Sequence, residues 1–147
     1  MRKDIFERLK KKLPGVKKDI LLKRHTTFKI GGPAEYFLIV KEKEDLIKAI
    51  KLAKKLRLPI FIFGGGSNLL ISDNGLKGLV IKIQDLDKKF EIQKLKSSVI
   101  IKASTGTKLK DLVDFSVKKS LQGLEWSGGL PGTFGGAIRG NAGAFGG

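Results

Sequence analysis

The sequence contains no cysteine and only one histidine, His25. Without cysteine the chain cannot form disulfides or thiolate metal sites, which fits a reducing compartment. One imidazole supports neither a histidine-based metal centre nor a Ser-His or Cys-His catalytic unit. No carboxylate lies near His25 in sequence to orient it as a base, so we expect a surface or capping residue there. We therefore predict no metal site.

Long hydrophobic runs are also absent. No apolar stretch approaches the ~18–20 residues that a membrane span requires. The N-terminal stretch MRKDIFERLKKKLPG carries charges throughout and has no apolar core, so it does not resemble a secretory signal. Ile5, Phe6 and Leu9 fall at helical spacing and predict a short amphipathic helix that ends at Pro14-Gly15. We expect a cytoplasmic protein without a membrane partner.

Acidic residues are scarce, with 14 Asp and Glu against 30 Lys and Arg and a net charge of +16. Such an excess can mark a nucleic-acid-binding protein. The bases are dispersed, however, and Lys10-Lys11-Lys12 is their longest uninterrupted run. No zinc-finger, KH or RNP signature is present. We interpret the charge as a solvated lysine-rich surface and expect no nucleic-acid partner. Steering of an anionic ligand and a basic nucleic-acid-binding module are the alternatives.

The first half of the chain has the pattern of a βαβ unit. Residues 35–40 are rich in β-formers, and residues 42–57 place apolar side chains on one helical face. The apolar run at 59–63 predicts a second strand that is covered on both faces. Because 147 residues suffice for one domain or two small subdomains, this unit is expected to account for only part of the fold.

The middle of the chain predicts three more strands and a second helix. The strands fall at 76–83, 89–95 and 97–105, and the last two read as a hairpin. The helix that follows is predicted to have Thr107 as its N-cap and to stop at Gly123.

A run of three glycines, Gly64-Gly65-Gly66, follows the predicted buried strand and continues into Ser67-Asn68. Ligands of open α/β sheets bind outside the carboxyl ends of strands, and successive glycines let main-chain N–H groups converge on an anion. The motif is neither GxGxxG nor a P-loop. It predicts a phosphate site, with a tight glycine turn as the structural alternative.

The segment from residue 123 to residue 147 has ten glycines among its 25 residues. Large apolar residues, among them Trp126 and Phe134, are interleaved with these glycines, which distinguishes the segment from a flexible linker. Glycine lacks the Cβ that would keep a planar ligand at a distance. The segment predicts main chain that lines a flat, uncharged ring, with a packing corner between subdomains as the alternative. We expect no helix or strand at its end.

Three stretches, TTFKIGGPAEYF, FGGGSNLL and GLEWSGGLPGTFGGAIRGNAGAFGG, occur in this order. Together they resemble the amino-terminal half of the UDP-N-acetylenolpyruvoylglucosamine reductase family, also called UDP-N-acetylmuramate dehydrogenases. The resemblance implies an α+β fold of the vanillyl-alcohol-oxidase and p-cresol-methylhydroxylase type, with FAD between two small α/β subdomains. We expect a helix and lead-in at 1–20, the first FAD-binding subdomain at 21–85, and an incomplete second one at 86–147. The substrate-binding domain is expected to be absent.

The resemblance also implies the cofactor-binding residues. Those expected at the FAD diphosphate are Gly64, Gly65, Gly66, Ser67 and Asn68. Those matching the family's second flavin-contacting stretch are Gly129, Pro131, Gly132, Gly135, Gly136, Ala137, Asn141 and Gly143. Gly31-Gly32 is expected to border the cofactor, and Arg139-Gly140 departs from the family's pattern. Glu125 beside Trp126 is expected to be a partly exposed carboxylate.

The family transfers hydride from NADPH to FAD and then to UDP-N-acetylglucosamine enolpyruvate, which forms UDP-N-acetylmuramate for peptidoglycan synthesis and hence for cell shape and division. Its catalytic serine, arginine and glutamate lie downstream of NAGAFGG, so we assign no catalytic residue. By resemblance the chain is expected to retain FAD weakly or not at all and to lack reductase activity. A related FAD-dependent oxidase domain and a partner-stabilised subdomain without activity are the alternatives.

Overall fold

The computed structural model of the chain describes residues 2–84, 90–144 and 146. A first unit contains a four-stranded sheet, and a second contains a two-stranded hairpin followed by short helices. The elements in chain order are α1 (Arg2–Lys12), β1 (Lys17–Leu21), β2 (Pro33–Val40), α2 (Lys43–Lys55), β3 (Ile60–Phe63), β4 (Leu76–Ile83), β5 (Glu91–Lys94), β6 (Val99–Lys102), α3 (Leu109–Lys118) and α4 (Phe134–Arg139). Two 3₁₀ turns lie at Leu22–Arg24 and Glu125–Ser127.

The strand order in the first unit is β1-β2-β4-β3. The central strand β4 is parallel to both β2 and β3, and β1 is antiparallel to β2. The predicted strand–helix–strand unit is present, but its two strands are neighbours of β4 and not of each other. All three parallel strands therefore end at the same edge of the sheet.

A separate apolar core lies on each face of this sheet. One core contains Leu9 of α1, Leu13 just after that helix, and Ala49 and Ala53 of α2. The other lies under the loop between β3 and β4, which contributes the buried Ile71. The helix α2 and this loop thus connect parallel strands across opposite faces of the sheet.

The lead-in predicted at 1–20 is part of this architecture. Its helix α1 packs into the first core, and β1 pairs with β2 in the register Lys17↔Phe37. The sequence KKDIL gives no apolar alternation because β1 is an edge strand with mostly exposed side chains. This is why the sequence pattern did not predict the strand.

The prediction that residues 59–63 form a strand covered on both faces was wrong. β3 is the other edge strand of the sheet, and the Ile62 side chain is 42% exposed. The strand buried on both faces is β4, in which Leu79, Val80 and Ile81 are each 0% exposed. An apolar run alone does not reveal which parallel strand occupies the centre of a sheet.

The second unit begins with the predicted hairpin, in which β5 and β6 pair antiparallel from Glu91↔Lys102 to Lys94↔Val99. Lys89, the first residue of the predicted strand, and the predicted subdomain boundary at residue 85 lie outside the described residues. The ring of Phe90 stacks on Phe115 of α3 at 4.4 Å between centroids, which joins the hairpin to that helix.

Both predicted ends of the second helix were wrong. The N-cap of α3 is Lys108 without a side-chain cap, whereas Thr107 is buried and its carbonyl accepts a hydrogen bond from the Phe134 N–H. The helix ends at Lys118 because Ser120 adopts a left-handed φ of 54°. No helix in the described part of the chain is long and apolar enough to cross a membrane.

Candidate cofactor-binding site

The first glycine segment, Gly64–Asn68, lies where β3 ends at the edge of the first sheet. Phe63, the last residue of β3, is paired with Lys82 of β4. The chain then turns onto the face of the sheet that the loop to β4 covers. This location is the carboxyl end of parallel strands, where α/β sheets bind ligands.

The second glycine segment, Pro131–Thr133, is held by main-chain hydrogen bonds to the residues that precede α3. The Leu109 N–H donates to the Gly132 carbonyl at 3.0 Å, and the Phe134 N–H donates to Thr107 at 2.8 Å. Thr133 also caps α4, because its Oγ1 accepts a hydrogen bond from the Gly136 N–H at 3.3 Å. The segment therefore has a fixed place in the second unit.

The two glycine segments contact each other directly, and we refer to Gly64–Ser67 with Pro131–Thr133 as the glycine junction. A β-carbon on Gly64 would collide with the Thr133 hydroxyl. Gly132 has a left-handed φ of 119°, and a β-carbon there would lie 2.7 Å from Ser67 Oγ. Ser67 Oγ donates a hydrogen bond to the Pro131 carbonyl at 3.2 Å.

These contacts show why glycine is required at two of these positions, and the reason differs from the predicted one. We expected them to allow main chain to approach a ligand. At Gly64 and Gly132 the group that excludes a β-carbon is instead protein, namely Thr133 and Ser67. The glycines bring two segments of main chain together, and any ligand site is formed by the pair.

A third segment, His25–Thr27, also belongs to this site. The Thr27 N–H donates to the Gly66 carbonyl at 3.0 Å, and the main chain of His25 lies against Gly66. The expectation of a capping residue at His25 is confirmed, because its N–H donates to the Leu22 carbonyl at 2.7 Å as the C-cap of the 3₁₀ turn Leu22–Arg24. Its ring is half-buried and packs on Phe37 at 4.6 Å between centroids. Only the motif TTFKIGG pointed to this segment, because no periodicity or spacing relates it to the glycine run.

Several main-chain N–H groups at the glycine junction have no hydrogen-bond acceptor in the part of the chain that the structure describes. Among the described residues, the N–H groups of Gly64–Asn68 find no protein acceptor, and those of Gly132 and Thr133 find none either. Gly65 and Asn68 are exposed. A set of N–H donors with a hydroxyl and an amide nearby has the chemistry that a diphosphate requires. The donor set therefore fits the phosphates of FAD.

The remaining predicted flavin-contacting residues lie along one segment that contains an unexpected helix. Gly135, Gly136 and Ala137 are in α4, which the two glycines of FGGAIR concealed. Asn141 ends this helix with a φ of 47°. Gly129 lies in the turn before Pro131, and Gly143 is exposed beyond the helix. The structure thus brings Gly64–Ser67 together with Pro131 and Gly132, and it places Gly135, Gly136 and Ala137 in α4. Gly129 precedes Pro131, and Asn141 and Gly143 follow the helix.

The electrostatics of the site are positive. Burial first, and then the charges of Lys82, Arg24 and Lys17, hold the pKa of His25 below its ordinary value. Burial also lowers the pKa of Lys82, whose Nζ lies 5.8 Å from the centroid of the Phe63 ring.

Glu125 has the opposite character. Hydrogen bonds from its own N–H and from the Gly123 N–H lower the pKa of this exposed carboxyl. Both hydrogen bonds favour the charged form, the carboxylate. Among the described residues, no group of three or more His, Asp or Glu side chains could hold a metal ion.

Comparison with known proteins agrees with this geometry. The family described as FAD binding domain matches residues 34–147. UDP-N-acetylenolpyruvoylglucosamine reductase of Lachnoclostridium phytofermentans is 40% identical over 126 residues, which cover 86% of this chain and 41% of that protein. The reductase of Desulforamulus reducens is 44% identical over 124 residues, covering 84% and 40%. The chain thus spans about two fifths of the length of these relatives.

A solved structure has the same fold. The crystal structure of UDP-N-acetylenolpyruvylglucosamine reductase from Thermus caldophilus superposes with a TM-score of 0.65 at 32% identity, covering 87% of this chain and 43% of that one. The resemblance to this reductase family, the α+β FAD-binding fold and FAD as the cofactor are thereby confirmed. The chain belongs to the FAD binding domain family.

Proposed function

We propose that this chain is the FAD-binding part of an NADPH-dependent reductase that converts UDP-N-acetylglucosamine enolpyruvate to UDP-N-acetylmuramate. Its relatives, which it matches over about two fifths of their length, are reductases of that name. The observation that carries the proposal is the set of N–H groups without protein acceptors at the glycine junction. A cytoplasmic location and a place in peptidoglycan synthesis belong to the same proposal.

In this proposal the two glycine segments hold different parts of FAD. The N–H groups of Gly64–Asn68 receive the diphosphate, because they lie at the carboxyl end of β3 and Gly65 and Asn68 are exposed. The segment from Gly129 to Gly143 lies along the flavin ring. Of its small residues in α4, Gly136 is exposed and leaves room for the ring, whereas Gly135 packs against Thr105 of the protein.

FAD, when bound, supplies a ring that accepts and donates hydride, and the protein supplies binding and orientation. The chain's own contribution is therefore to fix the cofactor between its two units. We assign no catalytic residue to it. In the proposed parent enzyme the groups that protonate the substrate, bind its diphosphate and bind NADPH come from other residues.

Binding of FAD by the 147-residue chain tests the proposal, with riboflavin as the matched ligand that lacks phosphate. Flavin fluorescence or equilibrium dialysis measures both affinities. We expect weak binding of FAD and weaker binding of riboflavin, because only FAD can use the N–H groups of the glycine junction. Equal affinity for FAD and riboflavin would contradict the proposed site.

The activity of the chain is tested separately by NADPH oxidation in the presence of FAD and the enolpyruvyl substrate. We expect no turnover, because no residue of the chain is assigned to protonate the substrate. Turnover by these 147 residues would show that the catalytic groups lie within them.

A further inference from the structure

Lys82 is a half-buried cation at the carboxyl end of the central strand β4. Its neighbours in the parallel register are Ile39 of β2 and Phe63 of β3, both apolar. Its Nζ lies 5.8 Å from the centroid of the Phe63 ring. Among the described residues it forms no ion pair with a carboxylate. A lysine in this position loses hydration and gains no opposite charge from the residues that the structure describes.

Further basic groups surround Lys82. Lys17 is paired with Phe37 in the sheet, and the ring of His25 packs on Phe37. The charges of Lys82, Arg24 and Lys17 all act on His25, which places the four side chains in one region. Neither Lys17 nor Arg24 forms an ion pair within the described part of the chain. Groups of one sign are thus concentrated where the sheet ends.

This basic region adjoins the glycine junction. Phe63 connects directly to Gly64, and the main chain of His25 lies against Gly66. The Thr27 N–H holds the Gly66 carbonyl at 3.0 Å. The cations that form no ion pair within the described residues and the glycine junction therefore lie at the same edge of the sheet.

Two observations indicate that this region is completed by an anion. Lys82 and His25 are partly buried, and no carboxylate of the described residues forms an ion pair with Lys82. Burial lowers the pKa of Lys82, and burial first and then the charges of Lys82, Arg24 and Lys17 lower the pKa of His25. Main-chain N–H groups supply only partial charges, whereas a diphosphate carries full negative charge. An anion between Lys82 and the glycine junction would satisfy both sets of groups.

We propose that Lys82, flanked by Lys17 and Arg24, is the cationic partner of a dinucleotide diphosphate whose oxygens the N–H groups of Gly64–Asn68 also receive. This deepens the proposed function and rests on it for the identity of the dinucleotide. Lys82 is a binding residue in this proposal and takes no part in hydride transfer.

His25 provides a direct readout, because it is the only histidine of the chain and its ring C–H signals are isolated in a proton NMR spectrum. Inorganic pyrophosphate is the probe, with sodium chloride at matched ionic strength as the blank. The test variant is Lys82→Met, which removes the charge and keeps an unbranched side chain only one atom shorter. Lys82→Arg preserves the charge, and Lys51→Met removes an exposed lysine from α2 on the other face of the sheet.

We expect pyrophosphate to raise the pKa of His25 in the wild-type chain and in Lys51→Met. In Lys82→Met we expect pyrophosphate to bind about tenfold more weakly or worse, since a hydrogen bond to a charged group contributes that much. Lys82→Arg should keep most of the affinity. Equal pyrophosphate binding by wild type and Lys82→Met, or a wild-type response no larger than that to sodium chloride, would overturn the proposal. Circular dichroism of each variant verifies that it is folded.

Binding of FAD, riboflavin and UDP-N-acetylglucosamine to the same variants separates this inference from the proposed function. If Lys82→Met weakens FAD but not riboflavin, Lys82 faces the FAD diphosphate. If FAD binds both proteins equally, the inference about Lys82 fails and FAD binding stands. If UDP-N-acetylglucosamine displaces pyrophosphate and FAD does not, the diphosphate site stands and FAD as its ligand is overturned.

Discussion

Gly64 and Thr133 lie so close that a β-carbon on residue 64 would collide with the Thr133 hydroxyl. The two residues are 69 positions apart and belong to different units of the fold. Thr133 cannot move away freely, because it caps α4 and is buried. At the scale of single residues, the position of one unit on the other thus depends on the absence of a methyl group.

We predict that Gly64→Ala destabilises the chain by about 1–3 kcal/mol, as overpacking of a close contact does. The free energy of unfolding in urea measures the change. Gly15→Ala is the matched control, because its new β-carbon would meet only Leu38 at an ordinary 3.5 Å.

A double-mutant cycle identifies the cause. Thr133→Ala removes the hydroxyl and a methyl group but costs about 1 kcal/mol through the lost cap. Gly64→Ala should then cost less in that background than in the wild type. Equal costs in both backgrounds would show that the collision with Thr133 is not the reason.

His25 gives the stability a pH dependence. Its pKa in the folded chain is lowered by burial first and then by Lys82, Arg24 and Lys17. The unfolded chain therefore binds the proton more readily, so stability is highest when both states are neutral, above an unfolded pKa of about 6.5. As the pH falls through that value towards the lower folded pKa, stability is lost.

We predict a falling melting temperature between about pH 7 and pH 5.5, a window in which ordinary carboxylates do not titrate. The variant His25→Phe preserves a ring against Phe37 and should flatten the profile over this window. A wild-type melting temperature that is constant or rises as the pH falls there would contradict the sign of the His25 shift.

At the scale of elements, three helices end in the same way. The residue after the C-cap is left-handed in each, namely Arg57 after α2, Ser120 after α3 and Asn141 after α4. In α3 the Ser120 N–H donates to Val117 at 2.9 Å and the Leu121 N–H donates to Ser116 at 2.9 Å. These paired bonds satisfy the last carbonyls of the helix, and glycine is the residue usually found at such a position.

We predict that Ser120→Gly stabilises the chain by about 0.5–1 kcal/mol, because it removes the strain of a left-handed residue that carries a side chain. Thermal and urea unfolding measure the gain. Ser120→Ala is the control and should give none, since alanine keeps the β-carbon. A gain for alanine equal to that for glycine would show that Ser120 is not strained.

Elements with a strong local signal were predictable from the sequence. Periodic apolar residues located α2 within two residues at each end, and the predicted strand at 76–83 coincides with β4. The edge strand β1 has no apolar alternation, and α4 contains two glycines, so neither gave a local signal. The sequence predicts that α3 ends at Gly123, because glycine is usual just after a helix. In the structure the left-handed residue after α3 is Ser120.

The candidate site was predictable only as separate segments. Sequence reasoning located Gly64–Asn68 and the segment around Pro131 because glycine is conspicuous in both. It did not find that they contact each other, since that contact depends on how the second unit packs on the first. It also missed Lys82, the cation proposed for this site, which lies beside Phe63 through the pairing of β4 with β3 and resembles any other lysine in sequence.

At the scale of the whole molecule, a net charge of +16 coexists with exposed apolar side chains. Several of these belong to the second unit, where Val117 is 65% exposed, Ile138 is 66% exposed and Ile100 of the hairpin is 43% exposed. Mutual repulsion keeps such molecules apart at low ionic strength. Apolar contact between them is favourable once the repulsion is screened.

We predict that the chain is monomeric at low salt and self-associates as salt is raised. The screening length falls from about 30 Å at 0.01 M to about 3 Å at 1 M salt. Sedimentation velocity at several salt concentrations measures the change. The variant Ile100→Lys should weaken association, whereas Ile47→Lys on α2, at a site of similar exposure, should not. A monomer at every salt concentration would contradict this prediction.

The order of strands also bears on how the chain folds during synthesis. β4 joins β2 to β3, yet it is the last of the four strands to leave the ribosome. Until β4 emerges, β1 and β2 are the only two of these strands that can pair with each other. β3 and the glycine run that follows it have no neighbouring strand until then. Translation must therefore pass Ile83 before the edge that we propose receives the cofactor exists.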